Sequence, residues 1–289
     1  MTLDRYIYQC DGIHYMGLKR FFSILFVFAN IALASQARAA EPVRISFGII
    51  PQYSASELAK RWTPILQYLS EKTGYSIEFK TAKDIPSYQD QMRRGEYDIA
   101  YENPYHYVMF HQSPGYQVFA NEKGGKLVDI IIVGKDSRYK NVTDLRDESM
   151  AFPTPMALTT VLSLAYLKGK GVTVIPKYVS SHESVYRAVA QGLFVVGGGE
   201  LRTFNEMDPA IKANLRILWM SAALPPFAFV AHPRVPAEAV KRIQQAMVGM
   251  SGDAQGQVLL RSLHLKDIRV ARDADYKEME NFNFNVPKQ

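Results

Sequence analysis

The sequence predicts an α/β protein built as two lobes with a ligand cleft between them. Three observations carry this. Apolar strand signals alternate with amphipathic helix signals from Arg44 onward, a second such series begins near Leu127, and two short crossings, near residues 121–127 and 221–227, separate the series. In open α/β sheets ligands gather at the carboxyl ends of parallel strands, which puts a site where the lobes meet.

Residues 44–50 alternate and then turn wholly apolar, a first strand that Pro51 ends. Ser54-Ala55-Ser56-Glu57 has the form of a capping box and opens a helix through Trp62, Ile65, Leu66 and Leu69 to a stop at Gly74. Residues 75–80 predict a strand, 87–94 a helix stopped by Gly95, and 97–101 a third strand. A helix over 104–112, a strand over 116–120 and a polar turn over 121–126 follow. Residues 127–134 (LVDIIIVG) are nearly all apolar, as a strand covered on both faces requires. The second series then reads strand 150–152, helix 158–168, strand 172–178, helix 182–191 and strand 193–196. Strands over 215–220 and 227–231 flank Leu224-Pro225-Pro226. A helix from Pro236 to about Met250, with Val240, Ile243, Ala246 and Met247 inward, returns the chain, and shorter helices end it. The lobes are therefore expected to be residues 41–122 with 226–289, and residues 123–225.

The first forty residues read as an address. From Met16 they give a basic start (Lys19, Arg20), an apolar run over 21–34, and Ala37-Arg38-Ala39 as a small-x-small cleavage site. That is the three-part form of a secretory signal peptide, and cleavage after Ala39 or Ala40 releases a soluble periplasmic protein, expected as a monomer. The run is short for a membrane span. Residues 1–15 are long for a basic start, so Met1 and Met16 both stand as the initiator, and the single cysteine, Cys10, leaves with the leader. Without residues 1–40 the chain has 30 basic and 26 acidic side chains, a mild excess with no lysine–arginine stripe for nucleic acid.

Enzyme signatures are missing: no G-x-S-x-G elbow, no P-loop, no G-x-G-x-x-G and no H-E-x-x-H occurs. His106 and His111 are five apart, off one helical face, and give no metal site. No cofactor is called for.

Three segments carry the polar chemistry. In 180–202 (SSHESVYRAVAQGLFVVGGGELR), Ser180 or Ser181 caps a helix whose start holds His182, where free amides and the helix dipole favour an anion; Gly197 to Gly199 and Arg202 follow. Tyr101, Asn103 and Tyr105 stand in the loop after the third strand, Tyr53 in the loop after the first, and Thr154 and Thr159 at a proline-marked helix start. Each pattern fits a ligand contact and equally an ordinary cap, turn or loop packing.

The order GIIP, WTPILQYL, EKTG, GEYDIAYENP, SHESVYRAV and GLFVVGGG resembles the phosphate, phosphite and phosphonate substrate-binding proteins of ABC importers, over about Val43 to Met250. The resemblance implies a type-2 periplasmic binding protein fold. It implies that His182 contacts the ligand's phosphonate group and that Pro104 and Tyr105 belong to the loop after the third strand. The family's serine-threonine-serine-glycine anion loop is Met156-Ala157-Leu158-Thr159 here, its aspartate after the histidine helix is Val195, and Arg202 falls where aminophosphonate binders place an acid. The expected protein captures a small oxyanion such as a phosphonate, phosphite or phosphate ester. It would present the ligand to an ABC permease in the inner membrane or, alternatively, signal to a membrane receptor kinase, with no covalent chemistry of its own.

Overall fold

The computed structural model describes residues 42–280. The signal-peptide reading of residues 1–40 and the last nine positions lie outside the described residues. Among the described residues no helix is long and apolar enough to cross a membrane.

Two sheets organise the chain. One holds β1 (Arg44–Ile49), β2 (Ser76–Lys80), β3 (Ile99–Glu102), β4 (Gln117–Glu122), β10 (Ala228–Ala231) and β11 (Ile268–Val270), in the order β11-β4-β10-β3-β1-β2. β1 runs parallel to β2 and β3, whereas β10 runs antiparallel between β3 and β4. The other holds β5 (Asp129–Gly134), β6 (Ser149–Phe152), β7 (Ile175–Tyr178), β8 (Val196–Glu200) and β9 (Leu215–Met220), in the order β7-β6-β8-β5-β9.

Helices cover these sheets. α1 (Ala55–Thr73) is capped by the Ser54 hydroxyl, which accepts from the Glu57 amide, and ends on Gly74 at φ 76°. It buries Trp62 beside Phe47 and Tyr101, with ring centroids 6.0 and 4.9 Å away, and Tyr101 lies 4.6 Å from Phe229. This aromatic cluster ties α1 to three strands. α2 (Ile85–Arg93) and α3 (Pro104–Gln112) cover the same sheet. The second sheet carries α4 (Leu158–Gly169), α5 (His182–Ala190), α6 (Leu201–Asn205) and α7 (Pro209–Lys212). On β5, Ile131 and Val133 pack with Met150, Phe152 and Leu167, while Ile130 and Ile132 pack with Val185, Tyr186 and Phe204. Strand alternation sends neighbours to opposite faces, so both sets must be apolar.

The chain leaves the first sheet at Glu122 and enters the second at Asp129; it returns between Met220 and Ala228. The two connections lie side by side. Leu127 and Leu224 exchange both backbone hydrogen bonds, at 3.1 and 2.8 Å, and the Ser221 amide donates to the Asp129 carbonyl at 2.8 Å. α8 (Ala237–Val248), α9 (Ala254–Ser262) and α10 (Lys277–Glu280) complete the chain.

Several boundaries differ from the sequence expectation. β3 begins at Ile99 and runs through Glu102, so Tyr101 and Glu102 are strand residues, because pairing with β1 and β10 continues to that point. β4 runs to Glu122, where β11 supplies a partner. β7 starts only at Ile175, after the left-handed Gly171 and a loop that buries Val172 and Val174. α2 starts at Ile85 because Asp84, whose carboxylate accepts from the Ser87 amide, caps it. The largest shift is in β8: residues 193–195 are loop, and Gly197 to Gly199 form the strand itself. A Cβ at Gly197, Gly198 or Gly199 would strike Val185, Phe152 or Tyr186, so the glycines admit side chains of this chain rather than a ligand.

Gly199→Ala should therefore destabilise the fold by about 1–3 kcal/mol, the usual range for overpacking. Its Cβ meets the Tyr186 ring and hydroxyl, which is bonded to Glu200 and Thr203. Urea unfolding of the variant checks this, and wild-type stability would mean that Tyr186 yields without cost.

Candidate functional site

Two adjoining recesses lie between elements of the two sheets and share Ile50, Gln52, Glu200 and Phe227 as walls. The first encloses about 510 Å³ of space, partly open to solvent, and meets Tyr53, Arg61, Tyr101, Arg202 and Glu206. The second encloses about 290 Å³ and meets Asn103, Asp129, Thr159 and His182.

The second recess gathers helix starts. His182 is the first residue of α5, behind the cap Ser181, whose hydroxyl accepts from the Ser184 amide at 3.1 Å. α4 begins at Leu158 with Ala157 in the cap position, so no side chain caps its first-turn amides. Asn103 caps α3, its Oδ1 accepting from the His106 amide at 2.9 Å. Buried polar atoms of its lining residues remain unpartnered: His182 Nδ1 and Asp129 Oδ2. Groups so placed are normally satisfied, which makes them candidates for a ligand's atoms.

Ionisation in this recess follows from burial. Burial holds the His182 imidazole down at about 4, so it is neutral at physiological pH. Asp129 and Glu200 sit opposite one another in the β5–β8 ladder. Burial, reinforced by the Glu200 charge, raises Asp129 well above the carboxylate range; burial also raises Glu200, against the pull of Arg202. The recess thus offers a neutral imidazole, helix amides and a carboxyl that burial disposes to keep its proton. Such groups bind an oxyanion without a formal countercharge.

The first recess is a polar seam. Arg61 of α1 donates to Glu206 at 2.9 Å and to Glu57 at 2.7 Å, and the Tyr53 hydroxyl donates to Glu206 at 2.8 Å. Arg202 of α6 donates to Glu122 at the end of β4. Gln52 donates to Glu200 at 3.0 Å. Apart from Arg61 with Glu57, both on α1, each contact joins an element of one sheet to an element of the other.

Of the residues singled out by sequence, Asn103, Thr159 and His182 meet in one recess and Tyr53, Tyr101 and Arg202 in the other. Tyr105, Ser181 and Thr154 line neither, because Tyr105 is packed into the core, Ser181 caps its helix and Thr154 lies beneath the α4 start. Thr159 also spends its hydroxyl on the Gly199 carbonyl at 3.0 Å. The sequence reading missed Gln52, Arg61, Asp129, Glu200 and Glu206. Asp129 had a visible signal, one acid in an apolar strand; the others come together only through tertiary contact.

Two α/β sheets, joined by paired crossings and facing each other across a polar cleft, define a type-2 periplasmic binding protein. A family model described as ABC transporter, phosphonate, periplasmic substrate-binding protein matches residues 47–276, and the chain belongs to that family. Phosphate-import protein PhnD of Mycolicibacterium smegmatis is 29% identical over 95 residues, 33% of this chain, and the match spans 26% of that relative's length. Among solved structures, the binding protein component of an ABC phosphonate transporter from Pseudomonas aeruginosa superposes with a TM-score of 0.75 at 20% identity, covering 83% of this chain and 85% of that one. PhnD1 from Prochlorococcus marinus, solved with methylphosphonate, gives 0.75 at 16% identity, covering 83% and 96%. At these identities the structural likeness carries the fold.

One buried acid lies outside both recesses. Glu102 is fully buried, neither carboxyl oxygen has a hydrogen-bond partner, and burial raises it well above its ordinary 4.5. The unfolded chain releases this proton near the ordinary value and the folded chain holds it to higher pH. Its contribution is therefore complete at low pH and is lost as pH rises from 4.5 toward the folded value. Glu102→Gln should gain stability over wild type as pH increases from about 5 to 8, read by urea unfolding across that range. A gap that narrows with rising pH would reverse the sign.

Proposed function

We propose that the protein is the solute-binding component of an ABC importer and takes a small phosphorus oxyanion, a phosphonate, phosphite or phosphate ester. The observation that carries the ligand class is His182, buried at the first position of α5 with Nδ1 unpartnered, in a recess that also meets the uncapped start of α4. Family membership and the methylphosphonate bound to the Prochlorococcus relative support this reading, and favour delivery to a permease over signalling to a receptor kinase. The oxyanion would lie against the α4 and α5 amides and accept from His182 and Asp129. Binding alone suffices; no covalent step is needed.

In this reading residues 1–40 form a leader cleaved after Ala39 or Ala40 for release into the periplasm. Residues 41–122 with 226–289 and residues 123–225 are lobes that close on the ligand about the paired crossings. Solution scattering should give a smaller radius of gyration with methylphosphonate than without; no change at saturation would count against closure.

Calorimetry with methylphosphonate, phosphite, phosphate and ethylsulfonate tests the ligand class. At least one phosphorus oxyanion should bind more tightly than the sulfonate. His182→Ala should weaken that ligand by roughly 1.5–3 kcal/mol, the range for a hydrogen bond to a charged group, in a protein that still folds. Equal affinity in a folded variant would remove His182 from the site.

A further inference from the structure

We propose that Arg202 is a tethered cation in the wall of the first recess, anchored on Glu122 beyond its lining, and so sets specificity against ligands that carry an ammonium or amidinium group. The specificity half of this rests on the binding reading above; the occupancy half stands on the geometry alone.

Arg202 lines the recess, and its guanidinium donates to Glu122 Oε2 at 2.5 Å. The two side chains are 27% and 10% exposed, so the pair is largely withdrawn from water. The Tyr101 hydroxyl bonds the guanidinium, and the charges of Glu200 and Glu122 hold Arg202 protonated against the cost of burial. Glu122 is fixed from behind by its own turn: a Cβ on Gly125 would stand 2.6 Å from Oε2, so only glycine lets the chain pass so close. The subsite thus has two carboxyl groups and a phenol, and the cation it suits is already present on this chain.

The neighbouring acids are occupied as well: Glu200 accepts from the Gln52 amide and lies within the pull of the Arg202 charge. Arg61 is engaged by Glu57 and Glu206, and His264 stands 3.9 Å from Glu206. Lys123, next to Glu122 in sequence, pairs with Asp267. An incoming ammonium would meet a bound guanidinium instead of a free carboxylate, and an oxyanion would find Arg202 already neutralised. Discrimination in this recess therefore acts by exclusion.

Removing the tether should expose the subsite. Arg202→Ala leaves Glu122 largely buried and unpaired, and its thermal midpoint should fall. Ethylguanidinium chloride should restore that midpoint saturably, beyond sodium chloride at equal ionic strength, while wild type stays unmoved. The double variant Arg202→Ala with Glu122→Gln should not respond. In calorimetry, the preference for ethylphosphonate over 2-aminoethylphosphonate should shrink by about tenfold or more in Arg202→Ala. Arg202→Gln carries the same comparisons if the alanine variant does not fold. Equal responses of wild type and variant to ethylguanidinium, or a rescue that persists without the Glu122 carboxylate, would overturn the proposal. If no phosphonate binds wild type, the ligand reading fails, while the ethylguanidinium result alone still decides whether Arg202 is a tether.

Discussion

Arg61 and Arg202 carry their guanidinium groups into the seam between the two sheets, where Glu206 and Glu122 meet them. Taking an ion out of water costs several kcal/mol unless a partner of good geometry receives it, and for each arginine a carboxylate from the other sheet offsets that cost. The seam therefore couples the two sheets through matched charge. Tyr53 shares Glu206 Oε2 with Arg61, and Gln52 adds a donor to Glu200.

The seam divides the electrostatics of the cleft. On its outer side, charges are present and matched. On its inner side, at His182 and Asp129, burial works against charge: it holds the imidazole down at about 4 and raises the Asp129 carboxyl. An anion entering the inner recess would not compete with ion pairs for its donors, because the ions are already committed a few residues away. In the proposed reading, two amide-bearing helix starts would take over the role that a lysine or arginine plays in a more exposed site.

Local patterns made most of the fold legible. The Ser54 cap, the Gly74 stop and the His182 helix needed only neighbours in sequence, and their positions followed from propensity and capping. Glycines misled. A run of three reads locally as a turn, yet β8 is a central strand whose neighbours β5 and β6 lie far away in the chain, with Tyr186 and Phe152 filling the space that side chains would take. The candidate site was half visible for the same reason. His182 and Asn103 mark helix starts and could be found from spacing. The pairing of Arg202 with Glu122, 80 positions apart, and of Arg61 with Glu206, 145 apart, depends on how the sheets meet.

A strand of glycines also has little to say about its own register, since no side chains distinguish one alignment from the next. Here the alignment is read by a single phenol. The Tyr186 hydroxyl accepts from the Glu200 amide at 2.9 Å and donates to the Glu200 carbonyl at 2.8 Å, with Thr203 at 2.7 Å. Both backbone groups of one residue are clamped, so a slip of one position along β5 and β6 would break them together and turn Glu200 to the opposite face. Tyr186 lies one helical turn from His182. The oxygen that fixes the strand and the buried imidazole of the inner recess thus ride on the same short helix, and the spacing between them is set by the rigidity of α5 rather than by the strand that bears Glu200.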